Sequence, residues 1–84
     1  MFYTYVLLSL KDKRKYIGFT RDLKKRLKEH NSGKVESTKH RTPFVLIYYE
    51  ACLSEEDAVI REKYFRTKWG FKYLQKRLKH SVKT

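Results

Sequence analysis

Cysteine, proline and glycine are scarce in this 84-residue chain, with one Cys, one Pro and three Gly, and acids are few, nine against twenty-one Lys and Arg. The lone Cys52 excludes an internal disulfide and cannot build a structural zinc site unaided, which is the thiol usage of a reducing compartment. With Pro43 as the only proline and no repeat, low-complexity run or linker, no domain boundary is visible. A single domain over residues 1–84 is expected, near the lower limit at which a hydrophobic core suffices without staples. Long apolar runs are missing too. The longest, FYTYVLL at residues 2–8, falls far short of the ~20 residues that span a bilayer, and no basic leader precedes it. The expected location is the cytoplasm, with no membrane partner.

What is present is positive charge, a formal +12 on a small chain. Such a surface repels itself unless an anion answers it. Its distribution says more than its total, because five of the nine acids (Glu50, Glu55, Glu56, Asp57 and Glu62) fall in one short stretch and eight basic residues follow Glu62. Cations interleaved with Trp69, Phe71 and Tyr73 suit a surface that neutralises phosphates and stacks on bases. A merely solvated basic helix is the plainer reading of that tail. A membrane surface fits less well, since too few aromatics share any one basic face. The same charge disfavours a tight homodimer, so a monomer is expected.

Residues 2–9 and 15–19, rich in Tyr, Phe, Val and Ile, read as two strands joined through the polar KDKRK turn, with Tyr3, Tyr5 and Leu7 on one face. Thr20 is the expected cap of a helix running to about Asn31, stopped by Gly33. A polar, basic loop from Gly33 to Thr42 follows. Residues 44–50 (FVLIYYE) make a third strand, expected to be well buried from its four successive apolar residues. Ser54, with Asp57 three positions on, opens a second helix expected to reach about Lys68. Gly70 is expected to break it, and Phe71–Lys79 to form a further short helix. The fold class is α/β (α+β), a small three-stranded antiparallel sheet flanked by helices in the order β-β-α-β-α-α.

At 100° per residue, Ala58, Glu62, Phe65 and Trp69 fall within about 60° on the second helix. A carboxylate thus sits amid the face that should pack on the sheet. An ionised carboxyl buried without a partner costs several kcal/mol, so Glu62 needs an arginine, a metal ion or a cleft, the plainer reading being a salt bridge to another element at the edge of the core. Arg61 is adjacent but points partly away. On the first helix, Leu23, Leu27 and His30 form a stripe with Arg26 beside it, one turn before His30. A lone His on such a face is more often a satisfied core residue than a catalyst, and a flanking Arg is usually a solvated rim residue. Arg26 nonetheless keeps its charge and can meet phosphate oxygens bidentately. Gly18 follows Tyr16 on a strand, a position that glycine weakens unless something must approach closely there.

Together these residues resemble the GIY-YIG nuclease family, most of all its small stand-alone bacterial members. The strand pair carries Tyr3-Thr4-Tyr5 and Tyr16-Ile17-Gly18. Thr20, Leu23, Arg26 and His30 follow in the order TxxLxxRxxxH, with Glu62 on a later helix. The resemblance covers roughly residues 2–79. The second triplet is intact, whereas the first reads YTY in place of GIY and keeps only its last tyrosine.

The resemblance implies a metal-dependent endonuclease that hydrolyses phosphodiester bonds of DNA, selective for shape or branching more than for sequence, in DNA repair or processing. It implies catalytic roles for Tyr5, Tyr16, Arg26, His30 and Glu62. Glu62 becomes the protein ligand of one Mg²⁺ or Mn²⁺ ion, completed by water and phosphate, and Arg26 steadies charge building on the phosphorus oxygens. Tyr5 positions or deprotonates the attacking water, which requires nearby cations to lower its pKa. His30 bonds a phosphate or orients a tyrosine. The late Asn that members often carry has no counterpart after Asn31, and Gln75, the one late amide, is left without a role. Phosphate contacts are expected from Lys34, Lys39, His40 and Arg41 in the loop and from Lys72, Lys76 and Arg77 near the end. DNA, or else RNA, is the expected partner, with no small-molecule substrate. The alternative is a catalytically weak or inactive DNA/RNA-binding module of the same fold.

Overall fold

A computed structural model describes residues 1–82. The chain runs through strands β1 (Phe2–Ser9) and β2 (Lys15–Thr20), helix α1 (Leu23–Asn31), a 3₁₀ turn at Lys39–Arg41, strand β3 (Phe44–Cys52) and helices α2 (Glu55–Phe65) and α3 (Lys68–Arg77). The element order is the expected one. The sheet runs β2-β1-β3 with both pairings antiparallel. β1 is therefore central, and Thr4 through Leu7 are buried as a continuous run. The well-buried strand is β1 and not β3, whose apolar run lies at a sheet edge where only Phe44 is fully buried. Position in the sheet overrode hydrophobicity.

Alternation along β1 divides the interior in two. Val6 packs with Phe65, Leu74 and Leu78 on the α2–α3 side, where Thr4 Oγ1 also donates to the Ala58 carbonyl at 2.9 Å. Tyr5 and Leu7 face the other way and join Phe44 and the half-buried Tyr16, Leu23 and Leu27 under α1. The Asn31 side chain ties the end of α1 to the start of β3, accepting from Phe44 N at 2.6 Å and donating to Phe44 O at 3.0 Å.

Three boundaries differ from expectation. The N-cap of α1 is Asp22, whose carboxylate accepts from Lys25 N at 3.0 Å. Thr20 instead ends β2 and shapes the turn, accepting from Asp22 N at 3.2 Å. α2 begins at its Ser54 cap as expected but ends at Phe65, and α3 starts at Lys68 with Thr67 as its cap. Gly70 does not break a helix. It lies in the first turn of α3, where Thr67 Oγ1 accepts from its N–H, and is pressed onto the end of α2. A Cβ there would sit 2.6 Å from Phe65 Cα. Because the axis turns at Arg66–Thr67, Trp69 leaves the stripe of Ala58, Glu62 and Phe65 and is 69% exposed.

Candidate active site

The phenol of Tyr5 crosses the sheet over β2, which is possible because Gly18 is its register partner. A Cβ on Gly18 would lie 2.6 Å from the Tyr5 hydroxyl, so the glycine is there for the close approach of a side chain. Beyond Gly18 the hydroxyl meets His30 Nε2 at 2.9 Å, and His30 Nδ1 lies 2.8 Å from Thr38 Oγ1. His30 is fully buried, and both of its ring nitrogens are engaged within the protein, by Tyr5 and by Thr38.

The direction of this chain follows from what each group can donate. Tyr5 also faces the Arg26 guanidinium, which only donates, so the phenolic proton goes to Nε2. Nδ1 then carries the ring proton and donates to Thr38, whose own hydroxyl has the Val35 carbonyl at 3.4 Å as acceptor. The tautomer is assigned from this network. Burial, and secondly the charge of Arg26, pull the His30 pKa down to about 4, so the ring is neutral at pH 7. Burial also raises the Tyr5 pKa, and the opposing pull of Arg26 does not overcome it. The expectation that nearby cations lower this phenol is thus corrected for the protein alone: desolvation outweighs one half-buried guanidinium. Tyr16 stacks edge-on to His30 with ring centroids 4.9 Å apart and lies 6.4 Å from the Tyr5 ring.

Glu62 is 8% exposed, the one buried carboxylate among the described residues, and its charge is felt at Tyr5. Its partner is Arg66, with Nη2 3.0 Å from Oε1. Arg61 is indeed turned away. It forks onto Glu50 at 2.8 and 3.1 Å and lies over the rings of Tyr64, Phe65 and Tyr73. No group of three or more His, Cys, Asp and Glu able to hold a metal gathers among the described residues. The donor set at Glu62 is therefore one carboxylate near a phenol. It fits a hard divalent cation that keeps most of its shell as water and phosphate oxygen, and not a closed protein cage.

Two members of this arrangement lay outside the sequence reading. Arg66 had a usable signal, since it stands four residues after Glu62. Thr38 had none, because it reaches His30 only through the fold of a loop. The expected phosphate contacts scatter. Lys34 and His40 are exposed, and Lys39 pairs with Glu36 at 3.0 Å, a loose exposed pair that a phosphate can replace. Arg41 is committed to the fold, forking onto Asp12 at 2.6 and 3.3 Å and donating to Arg14 O at 3.2 Å. This contact holds the Asp12 carboxyl well below the usual carboxylate range. On α3, Lys72 lies over Trp69 and Arg77 over Tyr48, while Lys76 is exposed.

The profile of one protein family matches residues 1–79, described as the GIY-YIG catalytic domain. UPF0213 proteins of Streptococcus pyogenes serotype M5 (strain Manfredo) and serotype M1 are each 48% identical to this chain over 65 residues, covering 76% of it and 70% of the relative. Among solved structures, the UPF0213 protein of Bacillus halodurans, determined by solution NMR, aligns with a TM-score of 0.53 at 35% identity, covering 88% of this chain and 82% of that one. No helix among the described residues is long and apolar enough to cross a membrane.

Proposed function

The chain belongs to the GIY-YIG family, a nuclease domain, and on that premise we propose that it is an endonuclease that hydrolyses DNA phosphodiester bonds with one Mg²⁺ or Mn²⁺ ion at Glu62. The observation that carries this reading is Glu62 itself, a buried carboxylate within charge reach of the Tyr5 phenol. The bound cation would supply Lewis-acid stabilisation of charge on the phosphate. Arg26, whose charge is permanent, lies beside the same phenol and steadies the pentacovalent phosphorus oxygens. Tyr5 rests as a neutral phenol, and its oxygen lone pair takes the hydrogen bond of the attacking water. As that water loses its proton to the phenol oxygen, the phenol's own proton has Nε2 of His30 at 2.9 Å to move to. The new P–O bond forms to the water oxygen as the bond to the leaving oxygen breaks, and that oxygen takes a proton from solvent. His30, whose pKa of about 4 does not let it keep the charge, returns its proton through Tyr5 to solvent. Tyr16 walls the pocket, and Lys34, Lys39, His40, Lys72 and Lys76 supply outer phosphate contacts. Such contacts carry no base sequence, which favours selection by shape or branching and a role in DNA repair or processing.

The Arg66 contact at 3.0 Å favours a second reading, in which that guanidinium permanently takes the cation's place and the protein only binds DNA or RNA. Incubation with nicked, branched and supercoiled DNA separates the two. Cleavage with Mg²⁺ or Mn²⁺ that a chelator stops, and that Glu62→Gln lowers at least ~10³-fold, is the expected result. Absence of any metal-dependent cut on all three substrates leaves the binding module.

A further inference from the structure

A cavity of about 820 Å³ opens between the β1–β2 turn and α3, on the α2–α3 side of the sheet. Its cations are Lys13 and Arg14 from the turn, Lys15 at the start of β2, Arg66 from the α2–α3 junction and Lys79 beyond α3, and no carboxylate lines it. Of these five cations only Arg66 meets an acid among the described residues, Glu62 at 3.0 Å. The walls between the cations are apolar, formed by Ile17, Leu74 and Leu78 with Phe71 at the lip. Phe71 is 46% exposed, and Lys15 Nζ stands 5.0 Å above its ring. Gln75 adds one uncharged polar group to the lining.

We propose that this cavity is a binding site for an unpaired stretch of nucleic acid, a base resting on the apolar wall and Phe71 while the adjoining phosphates lie on Lys13, Lys15 and Lys79. A small inorganic anion would leave the apolar wall idle, and an apolar peptide would leave four cations unanswered. An unpaired nucleotide joins a flat π-face to a phosphate and satisfies both halves. A duplex hides its bases in the stack and offers only phosphates. The volume lies within the ~300–1,000 Å³ of ordinary ligand sites, enough for a nucleotide. Arg66 joins the cavity to Glu62, touching Glu62 Oε1 and the Ile17 carbonyl, each at 3.0 Å. A strand seated here passes the buried carboxylate, so the substrate class becomes DNA or RNA with an unpaired arm. Occupation of the cavity is independent of catalysis, and only that last consequence rests on the nuclease reading.

Anisotropy titrations of labelled oligo(dT), oligo(U) and a blunt duplex, in chelator so that no strand is cut, test the site. The triple variant Lys13→Ala/Lys15→Ala/Lys79→Ala is expected to weaken single-strand binding at least tenfold and to reduce its salt slope by about 2. Phe71→Ala, at an exposed position, is expected to weaken it about fivefold or more while leaving duplex binding within twofold, since stacking on an aromatic ring contributes ~1–3 kcal/mol per base. Lys24→Ala/Lys25→Ala/Lys28→Ala on α1 removes equal charge elsewhere and sets the non-specific baseline. Equal losses for the two triple variants, or an unchanged Phe71→Ala, overturn the site. So does equal weakening of duplex and single strand by Phe71→Ala. Failure to cut DNA in the separate metal assay leaves these titrations standing.

Discussion

The two faces of the sheet are built from one strand and do opposite things. Toward α2 and α3, Val6 enters an apolar cluster with Phe65, Leu74 and Leu78, and each such side chain contributes ~1.5–3 kcal/mol by leaving water. Toward α1, one residue earlier, Tyr5 enters a chain of hydrogen bonds through His30 to Thr38, where burial keeps a phenol and an imidazole both uncharged. One face is stabilised by apolar packing, open where the cavity meets Leu74 and Leu78. The other holds polar groups out of water in a single arrangement, which is the more costly state and the one that chemistry needs.

The two glycines at these faces offer the largest break in that comparison. Alanine at Gly70 should help a helix by about 1 kcal/mol on propensity alone. Its Cβ would instead meet the α2 backbone, 2.6 Å from Phe65 Cα, and backbone cannot swing aside. Gly70→Ala is expected to lose about 3 kcal/mol or more in urea titration. Alanine at Gly18 meets only the Tyr5 side chain, at 2.6 Å from its oxygen. Gly18→Ala should keep the fold, shift the phenol by about 1 Å and lower turnover about 100-fold. A stable Gly70→Ala, or a Gly18→Ala of full activity, would erase the distinction.

The imidazole makes the polar face sensitive to acid. His30 titrates near 6.5 when unfolded and is held down to about 4 when folded, by burial first and by Arg26 second. Between these values the unfolded chain takes up a proton that the folded one refuses. Stability is therefore complete above pH 6.5 and falls as the pH drops through the window, by up to about 3 kcal/mol near pH 4. Urea midpoints from pH 7 to pH 4 should show this slope, and His30→Gln should flatten most of it. An equal slope in both proteins would assign the loss to carboxylates instead.

Sequence patterning disclosed the packing face better than the polar one, for a physical reason. Strand alternation, the Ser54 cap and the stripe of Ala58, Glu62 and Phe65 are local or periodic, so the order of elements and the burial of Glu62 could be read directly. The burial of β3 was misread because hydrophobicity does not say which strand is central. Trp69 was misplaced because the wheel was continued past a turn that Thr67 caps better than Gly70 breaks. On the polar face, the resemblance to a family named Tyr5, Tyr16, Arg26 and His30, yet it gave neither the direction of their hydrogen bonds nor their charge states. Those depend on Thr38, eight residues from His30, and on a degree of burial that only the assembled sheet sets.

Thr38 is also where the smallest and most selective effect is expected. Valine keeps the shape of threonine but offers no lone pair, so the buried Nδ1–H of His30 would lose its acceptor at a cost of about 1–2 kcal/mol. The ring can avoid that cost by moving its proton to Nε2, where it would point at the Tyr5 hydroxyl and remove that group's only acceptor. Either outcome loosens the phenol, and turnover is expected to fall about tenfold, the equivalent of ~1.4 kcal/mol in the barrier. Nitrogen chemical shifts of the His30 ring report the tautomer directly, and Thr38→Ser, which restores the oxygen, should recover both the Nδ1–H form and the rate. A Thr38→Val protein that keeps Nδ1–H and cuts within twofold of the parent would show that Tyr5 is held by Arg26 and Gly18 alone, with His30 a bystander in the core.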